Sequence, residues 1–311
     1  MVSIVSKRIK GNEYLYLVES VRNGEKVVQK TVKYIGKKRV ISKSELECMQ
    51  ISHNREDWIL KETIDYLSYK DHQKMKECSE NQIRLLKNLD KVSKEKERER
   101  FLSKFIANSN SIEGSTLSEL DTFNFLFNDI APKGHNKKEL FMATNLLNAW
   151  EYVEKNHKQF PTEADIKNLH KFVNREIEND KTLGVYKIVQ NYVGDIYTTS
   201  YLFVEERMKE LLIWIKKSYK DINEFEVAFQ SHAQFELIHP FIDGNGRVGR
   251  LLLNWLLMYK GLEPLAIKNI NRKDYLSALY NAQKGNLASI CNFCFKEYIS
   301  QYEFVVVNSE K

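Results

Sequence analysis

Chain breakers are scarce in this sequence: its 311 residues hold only 4 prolines and 12 glycines. With lysine, glutamate and leucine abundant, that scarcity predicts a mainly helical protein. Cysteine is equally sparse, at 4 residues. Cys48 and Cys78 stand alone, and Cys291-x-x-Cys294 lacks the second pair that a zinc site requires. On their Phe-rich stretch, Cys291 and Cys294 read as core thiols. No apolar run approaches the ~20 residues of a membrane span, and the N-terminus has no signal-peptide core. The expectation is therefore a cytoplasmic protein without a membrane partner. A net charge of +6 is modest for a nucleic-acid binder. Hydrophobic residues make up 42% of the chain, ample for a packed core, and the length leaves room for about two domains.

Three of the glycines fall in residues 239–250, which read His-Pro-Phe-Ile-Asp-Gly-Asn-Gly-Arg-Val-Gly-Arg, directly before the apolar run 251–259. Upstream, Phe225, Ala228, Phe229, Phe235 and Ile238 recur at helical spacing, which predicts a helix over Glu224–Ile238. Pro240 forbids its continuation, so His239 sits at a helix-to-loop junction. The next helix is expected to start near Gly246 or Arg247 and run to Tyr259, with Gly261 and Pro264 as stop signals. A Gly-rich turn feeding a helix N-terminus holds phosphates, because outward N–H groups and the helix dipole both favour negative charge. Arg247 and Arg250, three apart, share one face and can grip neighbouring phosphates. Asp243 is placed to hold a Mg²⁺ ion that also touches phosphate oxygens. Singly these features are ordinary; together a base, a metal carboxylate, an anion nest and two arginines describe phosphoryl or nucleotidyl transfer.

Residues 239–250 resemble the signature of the Fic (filamentation induced by cAMP) family, His-x-Phe-x-Asp/Glu-Gly-Asn-Gly-Arg-x-x-Arg, at every fixed position. The resemblance implies a Fic-type helical core and an adenylyltransferase that moves AMP from ATP onto a Ser, Thr or Tyr hydroxyl of a target protein. It assigns His239 as general base and Asp243 as Mg²⁺ ligand. Gly244, Asn245 and Gly246 become the anion nest, and the run Arg247-Val248-Gly249-Arg250 lies against the nucleotide phosphates. Retention of Gly-Asn-Gly, rather than Ala-Asn-Lys, favours AMP transfer over phosphate transfer.

Ser109-Asn-Ser-Ile-Glu113-Gly114 resembles the inhibitory pattern of the same family, Ser/Thr-x-x-x-Glu-Gly/Asn. Ser109 and Glu113 share one helical face and Gly114 is a natural terminator. The resemblance pairs Glu113 with Arg250, and a carboxylate forked onto that guanidinium would occupy the place of the γ-phosphate. Residues 184–200, with β-branched and aromatic residues crowded around Gly194, predict a short hairpin. This stretch resembles the family's flap, which implies Val193, Gly194, Asp195 and Ile196 against the nucleotide and a target segment docked by strand addition. Lys187 stands where the family usually has Arg, and Thr199-Ser200 where a proline pair is common. The helix expected near residues 275–286 would close the base pocket, with Tyr275 and Gln283 facing adenosine. Gln283 replaces a common Asn. His232 reads as a packing or capping residue.

Residues 1–40 differ in character. Residues 14–20, Asn23-Gly24 and residues 27–34 form a hairpin signal with a type I′ turn, and Val2–Ile9 supplies a candidate third strand. Ten Lys/Arg face three Asp/Glu here. Similar hairpins begin some transposase-like proteins, but an appended packing or interaction module is the expected role, with no nucleic-acid partner. Residues 41–104 read as helical, with Trp58, Leu60, Ile64 and Leu67, then Ile83, Leu85, Leu86 and Leu89, at apolar spacing. Residues 94–100 alternate charge and are a solvated helix or a linker. The organisation expected is a basic hairpin module (1–40), a helical region (41–100), a Fic-like domain with its inhibitory helix (101–302) and a tail (303–311). Two further readings stay open: the same core using another nucleotide or removing AMP, and a DNA-binding regulator with a nucleotide-sensing core. Relatives with an N-terminal inhibitory helix often dimerise, so the resemblance admits a homodimer.

Overall fold

The computed structural model describes residues 2–54 and 63–303; Trp58 and Leu60, expected on a helix, lie outside them. Strands β1 (Val2–Ile9), β2 (Asn12–Asn23) and β3 (Lys26–Lys37) form one antiparallel sheet in the order β1-β2-β3. The candidate third strand is therefore real. The β1–β2 turn has both central residues, Lys10 and Gly11, at positive φ, the type I′ pattern. The β2–β3 turn instead centres on Gly24 and Glu25, and only Gly24 (φ 63°) is left-handed. That is the type II′ pattern rather than the expected I′, because glycine occupies the first central position.

Helix α1 (Lys43–Asn54) packs under the sheet, where Val2, Leu17, Met49 and Phe203 form a small separate core. The remaining helices are α2 (Tyr69–Asn88), α3 (Lys91–Ile112), α4 (Glu119–Phe127), α5 (Lys137–Asn156) and α6 (Glu163–Asn174). A two-stranded hairpin follows, β4 (Tyr192–Val193) and β5 (Ile196–Tyr197). Then come α7 (Val204–Ser218), α8 (Glu224–Ile238), α9 (Asn245–Tyr259), α10 (Arg272–Gln283) and α11 (Ala288–Tyr302). The sequence sets the starts of several helices locally. Ser68/Asp71, Ser118/Asp121, Asn136/Glu139 and Thr162/Asp165 each close a capping box at a helix N-terminus. The charged run 94–100 is helix, inside α3.

The core is built around α8 and α9. Every α8 residue after Glu224 is buried, as are all α9 residues from Arg247 to Leu257. A helix buried on all sides must be enclosed by others, and Phe105, Leu146, Val173, Leu211 and Tyr298 from surrounding helices enclose this pair. Cys291 and Cys294 are buried, as expected of core thiols. Ile64 and Leu67 lie in irregular chain, not the expected helix. There Glu226, fully buried on α8, accepts hydrogen bonds from the amides of Tyr66 and Leu67, at 2.8 Å each, and lies 2.8 Å from His72 Nε2. These bonds satisfy backbone groups that a helix would have satisfied internally. Glu226→Ala is therefore expected to cost about 3 kcal/mol or more, since several buried donors lose their acceptor. A urea midpoint unchanged from the parent would contradict this.

No helix among the described residues is long and apolar enough to cross a membrane.

Candidate active site

The site occupies the loop between α8 and α9. Helix α8 ends where Pro240 requires it, and His239 takes a left-handed conformation (φ 49°, ψ 61°) as its C-cap. His239 Nδ1 is 3.2 Å from the Glu236 carbonyl. A carbonyl only accepts, so Nδ1 carries the proton and Nε2 keeps its lone pair. Burial, followed by the nearby Lys187 ammonium, pushes His239 down to about 4 from the ordinary 6.5. The ring is therefore neutral at pH 7.

Lys187 is itself buried beside the hairpin. Its Nζ donates to Asn191 Oδ1 at 2.6 Å and Thr198 Oγ1 at 2.9 Å, and burial lowers it to about 7. Glu236, also buried, is raised to about 8 by burial, so its carboxyl is mostly protonated at neutral pH.

Helix α9 begins at Asn245, one residue ahead of the expectation, after Gly244 in left-handed conformation (φ 76°). Asn245 does not face outward. Its amide clamps the Phe241 backbone at both ends, Oδ1 accepting from the Phe241 N–H and Nδ2 donating to its carbonyl, each at 2.9 Å. Asn245 thereby shapes the loop. Asp243 is exposed, and its Oδ1 accepts the Gly244 amide at 2.7 Å, leaving the other oxygen open. One carboxylate with a free oxygen beside an anion-binding helix start suits Mg²⁺, which takes few protein ligands and completes its shell with phosphate oxygens and water. Asp243 would hold that ion.

Arg250 is buried and shared among three residues. Nε donates to Ser109 Oγ at 2.9 Å, Nη2 to the Ser109 carbonyl and to Glu113 Oε1 at 2.8 Å each, and Nη1 to Tyr275 Oη at 3.3 Å. Glu113, at the C-terminus of α3, thus meets Arg250 through one oxygen, not the expected two-pronged fork, because Ser109 and Tyr275 hold the other donor positions. Glu113 stands directly over the start of α9: a Cβ built on Gly246 would meet Glu113 Oε1 at 2.2 Å. Gly114, at φ 100°, turns the chain away from the site.

Several expected contacts fall elsewhere. Arg247 points from the nest into the body, donating to the Val173 carbonyl at 3.1 Å and Asn174 Oδ1 at 2.9 Å. Tyr275 does not border an open pocket; it is buried beneath Arg250, and its hydroxyl is 2.7 Å from His232 Nε2. His232, to which the sequence assigned no partner, is therefore tied to the same network, and burial lowers it to about 3. Gln283 is also buried, donating to the Glu236 carbonyl at 3.2 Å. Val248 and Gly249 lie inside α9, and a Cβ on Gly249 would meet Glu236 Oε1 at 2.4 Å, so this glycine serves helix packing.

The hairpin β4–β5 forms as expected, with Gly194 (φ 58°) in its turn. Val193 and Asp195 are exposed, whereas the Ile196 side chain is buried. Tyr280 of α10 donates to Asp195 Oδ2 at 3.0 Å, closing the hairpin over the site. From behind, α1 braces it: the Tyr197 hydroxyl donates to Glu47 at 2.9 Å and the Ser200 amide to Ser52 Oγ at 2.7 Å.

Sequence reasoning missed His170 on α6. Its Nδ1 accepts the Gly184 amide at 2.9 Å, so Nε2–H donates to the Asp243 carbonyl at 3.1 Å, and the ring stacks on Phe241. One side chain thus ties the segment leading to the hairpin to the Asp243 loop. The available signal was a polar His170 among Ile166, Leu169 and Val173 on the buried face of an amphipathic helix.

Comparison with known proteins agrees with this architecture. Residues 160–257 match the Fic/DOC family model, and residues 2–54 match that of the IS1634 family transposase N-terminal domain. The chain is 29% identical over 199 residues to Protein adenylyltransferase fic-1 of Caenorhabditis elegans, covering 62% of this chain and 39% of the relative. It is 30% identical over 203 residues to Protein adenylyltransferase Fic of Nematostella vectensis, covering 63% and 48% respectively. It therefore spans less than half the length of these relatives. Among solved structures, a Fic domain containing signaling protein from Bacteroides thetaiotaomicron superposes with a TM-score of 0.66 at 22% identity, over 75% of this chain and 96% of that one. Fic-1 from C. elegans superposes at 0.65 and 22% identity, over 76% and 72%. At that identity the likeness is one of fold. Loop, hairpin and helical frame together identify residues 160–257 as a Fic/DOC family domain within a Fic-type helical fold.

Proposed function

We propose that this chain transfers AMP from ATP to a hydroxyl of a target protein, and that Glu113 holds the reaction back. The observation that carries the reading is the meeting of His239, Asp243, the N-terminus of α9 and the Glu113–Arg250 pair at one loop. His239 Nε2 accepts the proton of the attacking hydroxyl. The new bond forms at the α-phosphorus, and the bond to pyrophosphate breaks. Amides at the start of α9 and the Arg250 guanidinium hold phosphate oxygens through charge-assisted bonds. Mg²⁺ on Asp243 supplies charge neutralisation when bound. While Glu113 occupies Arg250, a carboxylate stands where the terminal phosphate belongs, and the α-phosphate is kept from in-line attack.

Label transfer tests the reading, using α-labelled ATP, γ-labelled ATP and α-labelled UTP in parallel with Glu113→Gly protein. Protein-bound label from α-labelled ATP alone is expected. Label from the γ position would mean phosphoryl transfer, and label from UTP alone would mean a different donor.

The depressed His239 sets the pH dependence. A base must be neutral, and a group lowered to about 4 loses neutrality only as pH falls towards that value. The kcat/KM of Glu113→Gly protein, which reports the free enzyme, is expected to stay level down to about pH 5. A decline beginning near pH 6.5 would show an imidazole open to solvent.

A further inference from the structure

The charge of this chain is segregated. Residues 1–40 carry ten Lys/Arg against three Asp/Glu, a net +7, while the whole chain is +6, leaving residues 41–311 at −1. Lys33, Lys38 and Arg39 are paired with Glu206, Glu13 and Glu45. Lys7, Arg8, Lys10, Arg22, Lys26, Lys30 and Lys37 make no ion pair with any described residue. The uncompensated charge therefore sits on the sheet.

The sheet's shape adds a second, independent observation. Among the described residues, β1 pairs with β2 as far as Glu19. Beyond that point β2 and β3 continue as a two-stranded ribbon, Ser20↔Gln29 to Asn23↔Lys26, and residues 20–31 are exposed on both faces. Val27 and Val28 are 69% and 51% exposed at this charged tip, where neither packs on the body. Alternation places Ser20, Arg22, Val27, Gln29 and Thr31 on one face. Further along the same face, Lys7 lies 4.8 Å over the Tyr16 ring and donates to Thr31, next to Tyr34.

We propose that this ribbon binds duplex DNA, entering the major groove with the Arg22–Gln29 face towards base edges and Lys7, Lys26 and Lys30 towards phosphates. The major groove, about 12 Å wide, admits a two-stranded ribbon. Arg reads guanine, Gln reads adenine, and an exposed Val fits a thymine methyl. An acidic protein partner would explain the charge, but not a narrow ribbon with this residue set on one face.

The test is fluorescence anisotropy with the full chain and a mixed-sequence DNA duplex two helical turns long. Binding is expected at about 50 mM salt and should weaken by about 40-fold at about 200 mM if Lys7, Lys26 and Lys30 each neutralise one phosphate. The triple variant Arg22→Glu, Lys26→Glu, Lys30→Glu should lose at least about tenfold in affinity. Its label transfer in the Glu113→Gly background should be unchanged, which shows that the protein remains folded. A duplex RNA of the same sequence should bind at least about tenfold more weakly, because its deep, narrow major groove excludes the ribbon. Absence of DNA binding at low salt, equal affinity for RNA, or full affinity in the triple variant would each overturn the proposal.

Discussion

Replacing Glu113 by glycine is expected to raise AMP incorporation from α-labelled ATP by about 10²-fold, the scale of gaining one preorganised charge-stabilising group. The change frees Arg250 Nη2 from its Glu113 contact and removes a negative charge beside Gly246. Arg250 would not be left unsupported, because Ser109 Oγ, the Ser109 carbonyl and Tyr275 Oη remain. The Glu113 side chain is 37% exposed, so solvent screens the pair and its contribution to stability is expected to be about 1 kcal/mol or less. A large gain in activity with little change in Tm is thus the signature of a functional rather than a structural contact. Glu113→Gly protein that binds ATP yet transfers no label would remove the inhibitory reading.

In the same background, His239→Ala is expected to lower label transfer by about 10²- to 10⁴-fold, the usual contribution of positioned proton transfer. Nucleotide affinity should be nearly unchanged. His239 holds the Glu236 carbonyl through Nδ1, and no phosphate-holding element depends on it. A matching loss of ATP affinity, measured by calorimetry, would instead make His239 a binding or loop-shaping residue. A modest loss in rate would point to another base.

Much of this was legible in the chain itself. The hydrophobic spacing of residues 224–238 and the block at Pro240 define α8 and the position of His239, both local effects. The same holds for the third strand, for the hairpin around Gly194 and for the glycine after Glu113, where turn and cap chemistry act within a few residues. Spacing also brought Ser109 and Glu113 onto one face. It was silent on how Arg250 divides its donors, because its partners stand 141, 137 and 25 residues away. Arg247 illustrates the limit: three residues from Arg250 on one helix, it turns to Asn174 once α6 packs beside it.

What the sequence determined by itself is the set of reactive groups and their order along one loop, because helix periodicity, proline and glycine act over short distances. Only the tertiary structure decided their state. Burial depresses His239 and raises Glu236, docking of α3 seats Glu113 on Arg250, and His170 ties the Asp243 loop to the hairpin segment. Desolvation and distant pairing exist only once the helices close around α8 and α9, since both depend on excluding water from groups far apart in the chain.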